Sequence, residues 1–236
     1  WRVVFIVAVI GFVIAAGALA FIGYGYWHGQ QNNKELEQIG FNAPDAAALQ
    51  RMDLASSTVD CDALRAINPD VMGWIYVPGT TVNFPIVHGT DDEHYLKTDF
   101  YGQTSWVSFG SIFLSAANAA DFSDANNIVY GHHMNDGSMF SPFADFGDVD
   151  TFNGHRIVYV FTPTANYQLT TFSIVHCAAD DPLAQTAFAS EQERQAYVQD
   201  KVDRSVVTVA GLPSAADMKH TFAFSTCDNL ASNGRW

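Results

Sequence analysis

Between positions 3 and 27 the chain carries no charged side chain, and the run VVFIVAVIGFVIAAGALAFIG within it is almost wholly aliphatic or aromatic. At about 1.5 Å per helical residue, this exceeds the roughly 20 residues needed to cross the apolar layer of a bilayer. A helix buried in a soluble core rarely runs so long without a charge. A cleaved leader has a shorter apolar stretch ending at a small-residue cleavage site. Here Ala15, Ala16, Gly17 and Ala18 fall inside the run, and Tyr24, Tyr26 and Trp27 come after it as an interfacial aromatic belt. Residues 1–27 are therefore expected to form an uncleaved transmembrane anchor. Arg2 precedes the run and the chain beyond the run is net acidic, which favours a single pass in a cell membrane with the bulk of the chain extracellular.

The 236 residues include 11 Lys+Arg against 25 Asp+Glu, a formal charge of −14. No basic surface can be assembled from that balance, so nucleic acid is excluded as a partner. With 48% hydrophobic and 15% charged residues, the chain has ample material for a core beyond the anchor. Residues 28–58 are polar and Ala-rich, with Lys34, Glu35 and Glu37 early and AAALQRM later, and read as a stalk with one or two short helices. Residues 59–236 then have the length of one domain, or at most two small ones, and are taken as one. Cys61, Cys177 and Cys227 are an odd number of thiols for an exported domain, and that calls for an explanation.

Asp60 or Asp62 is placed to cap a short helix through Ala66, which Asn68-Pro69-Asp70 stops. Beyond it the apolar period becomes strand-like. Strands are predicted at 73–77, 82–87, 111–115, 127–131, 156–161, 167–177, 206–209 and 220–227, separated by Gly, Pro, Asn and Asp turns. Short strands at this density predict a mainly β, closed or nearly closed barrel rather than a βαβ fold. One helix interrupts them over 190–204, opened by the capping box Ser190-Glu191-Gln192-Glu193 and given an apolar face by Tyr197, Val198 and Val202.

Cys227 ends the apolar run 221–224 in Ser225-Thr226-Cys227-Asp228, where a strand gives way to a loop and holds a side chain rigidly at the surface. Taken alone it is as readily a small core cysteine. His132 and His133 also come directly after a strand, 127–130, and an imidazole near a thiol activates it, since the thiolate is the reactive species. Arg235, eight residues beyond Cys227, suits donation to a developing oxyanion or a substrate carbonyl; in isolation the surface ion-pair reading is the favoured one. No CxxC, HxxxH or HExxH spacing occurs, so no metal site is expected. Cys61 and Cys177 read as structural.

In order, INPDVMGWIYVPGTTVNFPIV (67–87), HYLKTDFYG (94–102), GSIFL (110–114), NNIVYGHHM (126–134), GSMFSPF (137–143), FSTC (224–227) and Arg235 resemble the sortases, specifically class B. The resemblance runs from about Asp60 to Trp236. It implies an eight-stranded closed barrel with peripheral helices, among them the helix over 190–204. It also implies a membrane-anchored cysteine transpeptidase of Gram-positive bacteria. Such an enzyme cleaves a C-terminal sorting motif of a secreted surface protein, holds the acyl part as a thioester, and passes it to a peptidoglycan precursor or pilin amine, with no cofactor. By motif position Cys227 is the nucleophile, His132 the catalytic histidine and Arg235 the oxyanion or carbonyl donor, while Leu96, Ser225 and Thr226 line the substrate groove. Asp228 is given no part, since a carboxylate beside a thiolate raises the thiol pKa.

Two features depart from the family pattern. The resemblance implies a strand after the arginine, whereas this sequence stops at Trp236, so a frayed Arg235 is expected. GSIFL is followed by Ser115 where relatives often place Asp. The competing readings are a non-catalytic wall-binding or scaffolding protein, and another Cys/His wall enzyme such as a peptidoglycan hydrolase or L,D-transpeptidase.

Overall fold

The computed structural model describes residues 1–43, 58–104, 109–178, 185–226 and 234–236. The apolar run is the first part of one unbroken helix, α1 (Arg2–Gly40). It is the one helix among the described residues long and apolar enough to cross a membrane, and its most apolar window is exposed throughout. The short stalk helices expected after residue 27 are replaced here by a continuation of α1. The segment 28–39 has no proline and is rich in Gln, Glu, Lys and Leu, so nothing in it ends a helix. AAALQRM lies outside the described residues.

The barrel holds the far end of α1. Leu36 is buried in a cluster with Leu64, Val71, Trp74 and Tyr95. Gly40 approaches Leu64 so closely that a Cβ there would lie 2.6 Å from its side chain. The chain then enters β1 (Phe41–Asn42), which pairs with β2 (Thr58–Val59). Phe41 stacks on Trp74 at 5.1 Å between ring centroids. The Trp74 indole donates to Asn83 Oδ1 at 2.6 Å, and the Asn83 amide donates in turn to the Glu37 carboxylate of α1. Helix α2 (Cys61–Ile67) is capped by Asp60, whose carboxylate accepts from the Ala63 N–H at 2.9 Å, and it stops at Asn68 as the sequence predicts.

Seven strands form the main sheet: β3 (Val71–Tyr76), β4 (Asn83–His88), β5 (Ile112–Leu114), β6 (Asn126–Tyr130), β7 (Ile157–Phe161), β8 (Asn166–Thr170) and β9 (Thr221–Ser225). Their spatial order is β8-β7-β3-β4-β5-β6-β9. The pairs β4/β5 and β6/β9 are parallel and the others antiparallel. The sheet curls into a nearly closed barrel around Ile75, Ile86, Leu114, Val129, Phe140 and Val158. Across the seam the rings of Tyr167 in β8 and Phe222 in β9 meet at 5.2 Å. Peripheral helices are α3 (His94–Lys97), α4 (Ser141–Asp145), α5 (Val149–Gly154) and α6 (Glu191–Asp203). The last is the capped helix predicted from Ser190, whose hydroxyl accepts from the Glu193 N–H.

The barrel differs from the eight predicted strands in two places. β8 ends at Thr170 rather than at 177, because β7 begins at Ile157 and offers no ladder partner beyond the Arg156/Thr171 exchange. Residues 206–209 form no strand. Val207 is buried, but Ser205 takes over the local pairing: its hydroxyl accepts from the Ile174 N–H and donates to the Val207 carbonyl.

Leu64 is fully buried where α1, α2 and β3 meet. Leu64→Ala is expected to destabilise the protein by about 2–5 kcal/mol, read as a lower midpoint in denaturant unfolding of the detergent-solubilised chain.

Candidate active site

Parallel strands bring their C-terminal ends to the same edge of a sheet. β6 and β9 run in register from Asn126↔Thr221 to Tyr130↔Ser225. The Gly131 N–H donates to the Ser225 carbonyl at 3.1 Å and extends the pairing by one step. His132 comes next on one chain and Thr226 on the other. Cys227 succeeds Thr226 in the sequence and lies outside the described residues, as does Asp228.

His132 is half-buried and fixed at both its backbone and its ring. Its carbonyl accepts from the Phe140 N–H at 2.9 Å. Its Nε2 lies 2.6 Å from the carbonyl oxygen of Leu96. The neighbouring His133 instead forms a backbone bridge with Met139. Of the predicted groove residues, Leu96 thus reaches His132 through its main chain, while Ser225 pairs with the preceding Gly131 and Thr226 with Trp236.

Leu96 sits in α3, a four-residue helix too short to hold itself. Asp91 secures the start: its carboxylate accepts from the backbone N–H of His94 and of Glu93, both at 2.8 Å. Those two bonds, the His94 bond first, hold its pKa below the ordinary carboxylate value. Tyr95 secures the middle. Its ring is buried, its hydroxyl donates to Asp70 Oδ2 at 2.7 Å and accepts from the Asn68 amide at 3.2 Å, and its carbonyl accepts from the Ser111 N–H at 2.9 Å. Burial and the Asp70 bond push the phenol up to about 12.

Arg235 is not frayed. Its N–H and C=O exchange bonds of 2.8 and 3.0 Å with Cys177, and Trp236 exchanges two bonds of 2.9 Å with Thr226. Residues 234–236 therefore lie between the chain leaving β9 and the chain beyond β8. The Arg235 guanidinium donates to the Gly234 carbonyl at 2.9 Å, and the Trp236 ring stacks on His176 at 4.3 Å. Thr226 is buried, and its hydroxyl makes no hydrogen bond among the described residues. Buried Ser115, the departure from the family pattern, donates its hydroxyl to Asp92 at 3.0 Å, and Asp92 also accepts from the Ala116 N–H at 2.7 Å.

The sequence reading missed Tyr95 and Cys177. Tyr95 carries no mark beyond adjacency to Leu96. Cys177 contributes backbone, and no residue type announces that. Cys61 lies at the start of α2, where burial raises its thiol pKa, the direction of a structural rather than a reactive cysteine.

Tyr95→Phe removes the hydroxyl that joins α3 to Asn68 and Asp70. It is expected to cost about 1–3 kcal/mol, the scale for leaving buried polar partners unsatisfied. Backbone amide exchange in 94–98 should accelerate more than in β3, measured by hydrogen–deuterium exchange.

No family model matches the chain. It is 28% identical over 222 residues to sortase B of Listeria monocytogenes serovar 1/2a, spanning 92% of this chain and 87% of that protein. It is 30% identical over 171 residues to sortase B of Staphylococcus aureus, spanning 72% of this chain and 68% of that protein. Among solved structures, a Bacillus anthracis protein described as similar to sortase B superposes with a TM-score of 0.74 at 28% identity, covering 89% of this chain and 93% of that one. A Staphylococcus aureus sortase B–substrate complex superposes with a TM-score of 0.73 at 25% identity, covering 87% and 92%.

Proposed function

The chain belongs to class B of the sortase family, and from that premise we propose that it is a single-pass membrane enzyme whose extracellular barrel cleaves a C-terminal sorting motif and transfers the acyl part through a thioester on Cys227. Membership makes it a sortase transpeptidase of the cell wall. The observation that carries the finer reading is the parallel register of β6 and β9. His132 stands two residues past Tyr130 and Cys227 two residues past its partner Ser225, on strands that leave the sheet at one edge.

The chemistry balances without an external reagent. The Cys227 thiol gives its proton to His132, and the thiolate sulfur forms a bond to the scissile carbonyl carbon. The carbonyl π pair moves to oxygen, where the Arg235 guanidinium is the hydrogen-bond donor. Collapse of the tetrahedral intermediate breaks the C–N bond, and the imidazolium returns the proton to the leaving amine. An acceptor amine, of a peptidoglycan precursor or a pilin lysine, attacks the thioester. His132 takes a proton from that amine, the new amide forms as the C–S bond breaks, and the imidazolium returns the proton to the released Cys227 sulfur. Leu96, Ser225 and Thr226 wall the groove that holds the sorting motif.

Incubating the full chain in detergent micelles with a library of fluorogenic sorting-motif peptides and an amine should yield cleavage and amine transfer, with a thioester at Cys227 trapped by mass spectrometry. Cys227→Ala should abolish all three. No turnover of any peptide by a folded protein whose Cys227 resists alkylation would overturn the enzyme reading in favour of a scaffold. Arg235→Lys should lower kcat by about 10²–10³-fold, the usual cost of one oxyanion donor, with KM little changed.

A further inference from the structure

We propose that the Leu96 carbonyl fixes His132 in one tautomer, with the proton on Nε2, and that Gly110 is a positioning residue that makes room for this contact. The inference rests on the reading of His132 as the catalytic histidine. A carbonyl oxygen only accepts, so at 2.6 Å the ring atom facing Leu96 must be a protonated Nε2. In the neutral ring the other nitrogen, Nδ1, then carries the lone pair. Nδ1 takes the thiol proton, returns it to the leaving amine, and accepts again from the attacking amine.

The carbonyl is available because of where α3 ends. The last carbonyls of a helix have no partner within it, and α3 stops at Lys97, one residue past Leu96. The Asp91 and Tyr95 contacts hold the carbonyl in place from the α3 side.

Gly110 supplies the space on the other side. Its φ is +53°, in the left-handed region that favours glycine. A Cβ built there would lie 2.7 Å from the Tyr95 oxygen, 2.9 Å from the Leu96 oxygen and 3.0 Å from His132 Cδ2. Two of these atoms are backbone that cannot swing aside, and the third is bonded to the nitrogen that donates. A side chain at 110 would therefore wedge between the acceptor and the ring. Nor can the backbone there shift freely, since Ser111 donates through its N–H to Tyr95 and through its hydroxyl to the Thr98 carbonyl.

The test is the tautomer itself, read from imidazole 15N shifts in long-range 1H–15N spectra of the full chain in micelles at alkaline pH. In the parent protein His132 should show a protonated Nε2 and a bare Nδ1. Gly110→Ala should replace that signature with a mixture of tautomers and lower kcat by about 100-fold, the scale of a general acid–base contribution, with KM little changed. A parent spectrum with the proton on Nδ1 overturns the proposal, and needs no variant to fold. A folded Gly110→Ala protein with the parental tautomer and kcat overturns the role of Gly110. If His132→Ala keeps full transpeptidation, the catalytic assignment of His132 falls instead, whatever its tautomer.

Discussion

The arrangement depends first on the parallel pairing of β6 with β9. Two strands that run the same way cannot be joined by a tight turn, so the chain must leave the end of β6 and return to the start of β9. That crossover holds α4, α5, β7, β8 and α6. In exchange, two segments far apart in sequence, Gly131-His132 and Ser225-Thr226, finish side by side at one edge. An antiparallel pair would send their C-terminal ends to opposite edges. The site is therefore a product of topology before it is a product of residue choice.

At that edge, small irregular elements do the positioning. α3 contributes a carbonyl, and its place comes from Asp91, Tyr95 and Ser111 rather than from any helical stability of its own. The segment 234–236, which carries Arg235, is held by backbone exchange on both sides, with Thr226 and with Cys177. α3 is thus fixed largely by side-chain contacts, and the segment 234–236 by main-chain pairing. Such pairing tolerates changes in side-chain chemistry better than it tolerates changes in chain direction or length.

The same dependence on pairing explains what the sequence disclosed. Strand positions were legible because β3 to β7 alternate or run apolar between clear turn residues, and the helix from Ser190 was legible because its cap is written in side chains. That His132 and Thr226 come just after strand ends was legible from the apolar runs 127–130 and 221–224. The end of β8, the loss of a strand at 206–209 and the anchoring of Arg235 were not. Each is decided by which backbone finds a partner: Thr170 has one in Ile157, Val207 has its carbonyl taken by Ser205, and Arg235 finds Cys177. Composition and periodicity carry no record of such pairings. Gly110 is a similar case, since the sequence shows a glycine and only the fold shows what would fill the space above it.

The continuity of α1 adds one more constraint. α1 runs unbroken from the apolar segment to Gly40, with no proline along its length. The barrel grips it over several turns: Tyr26 meets Phe109 edge-on at 5.5 Å, Gln30 donates to Asp136 at 3.0 Å, Leu36 is buried, and Glu37 accepts from Asn83. Phe109 precedes Gly110, and Asp136 belongs to the loop just after His133. Two of the contacts that seat the barrel on the helix are thus made by the chain segments that frame His132. The ring contact of Tyr26 with Phe109 thus brings α1 to within one residue of Gly110.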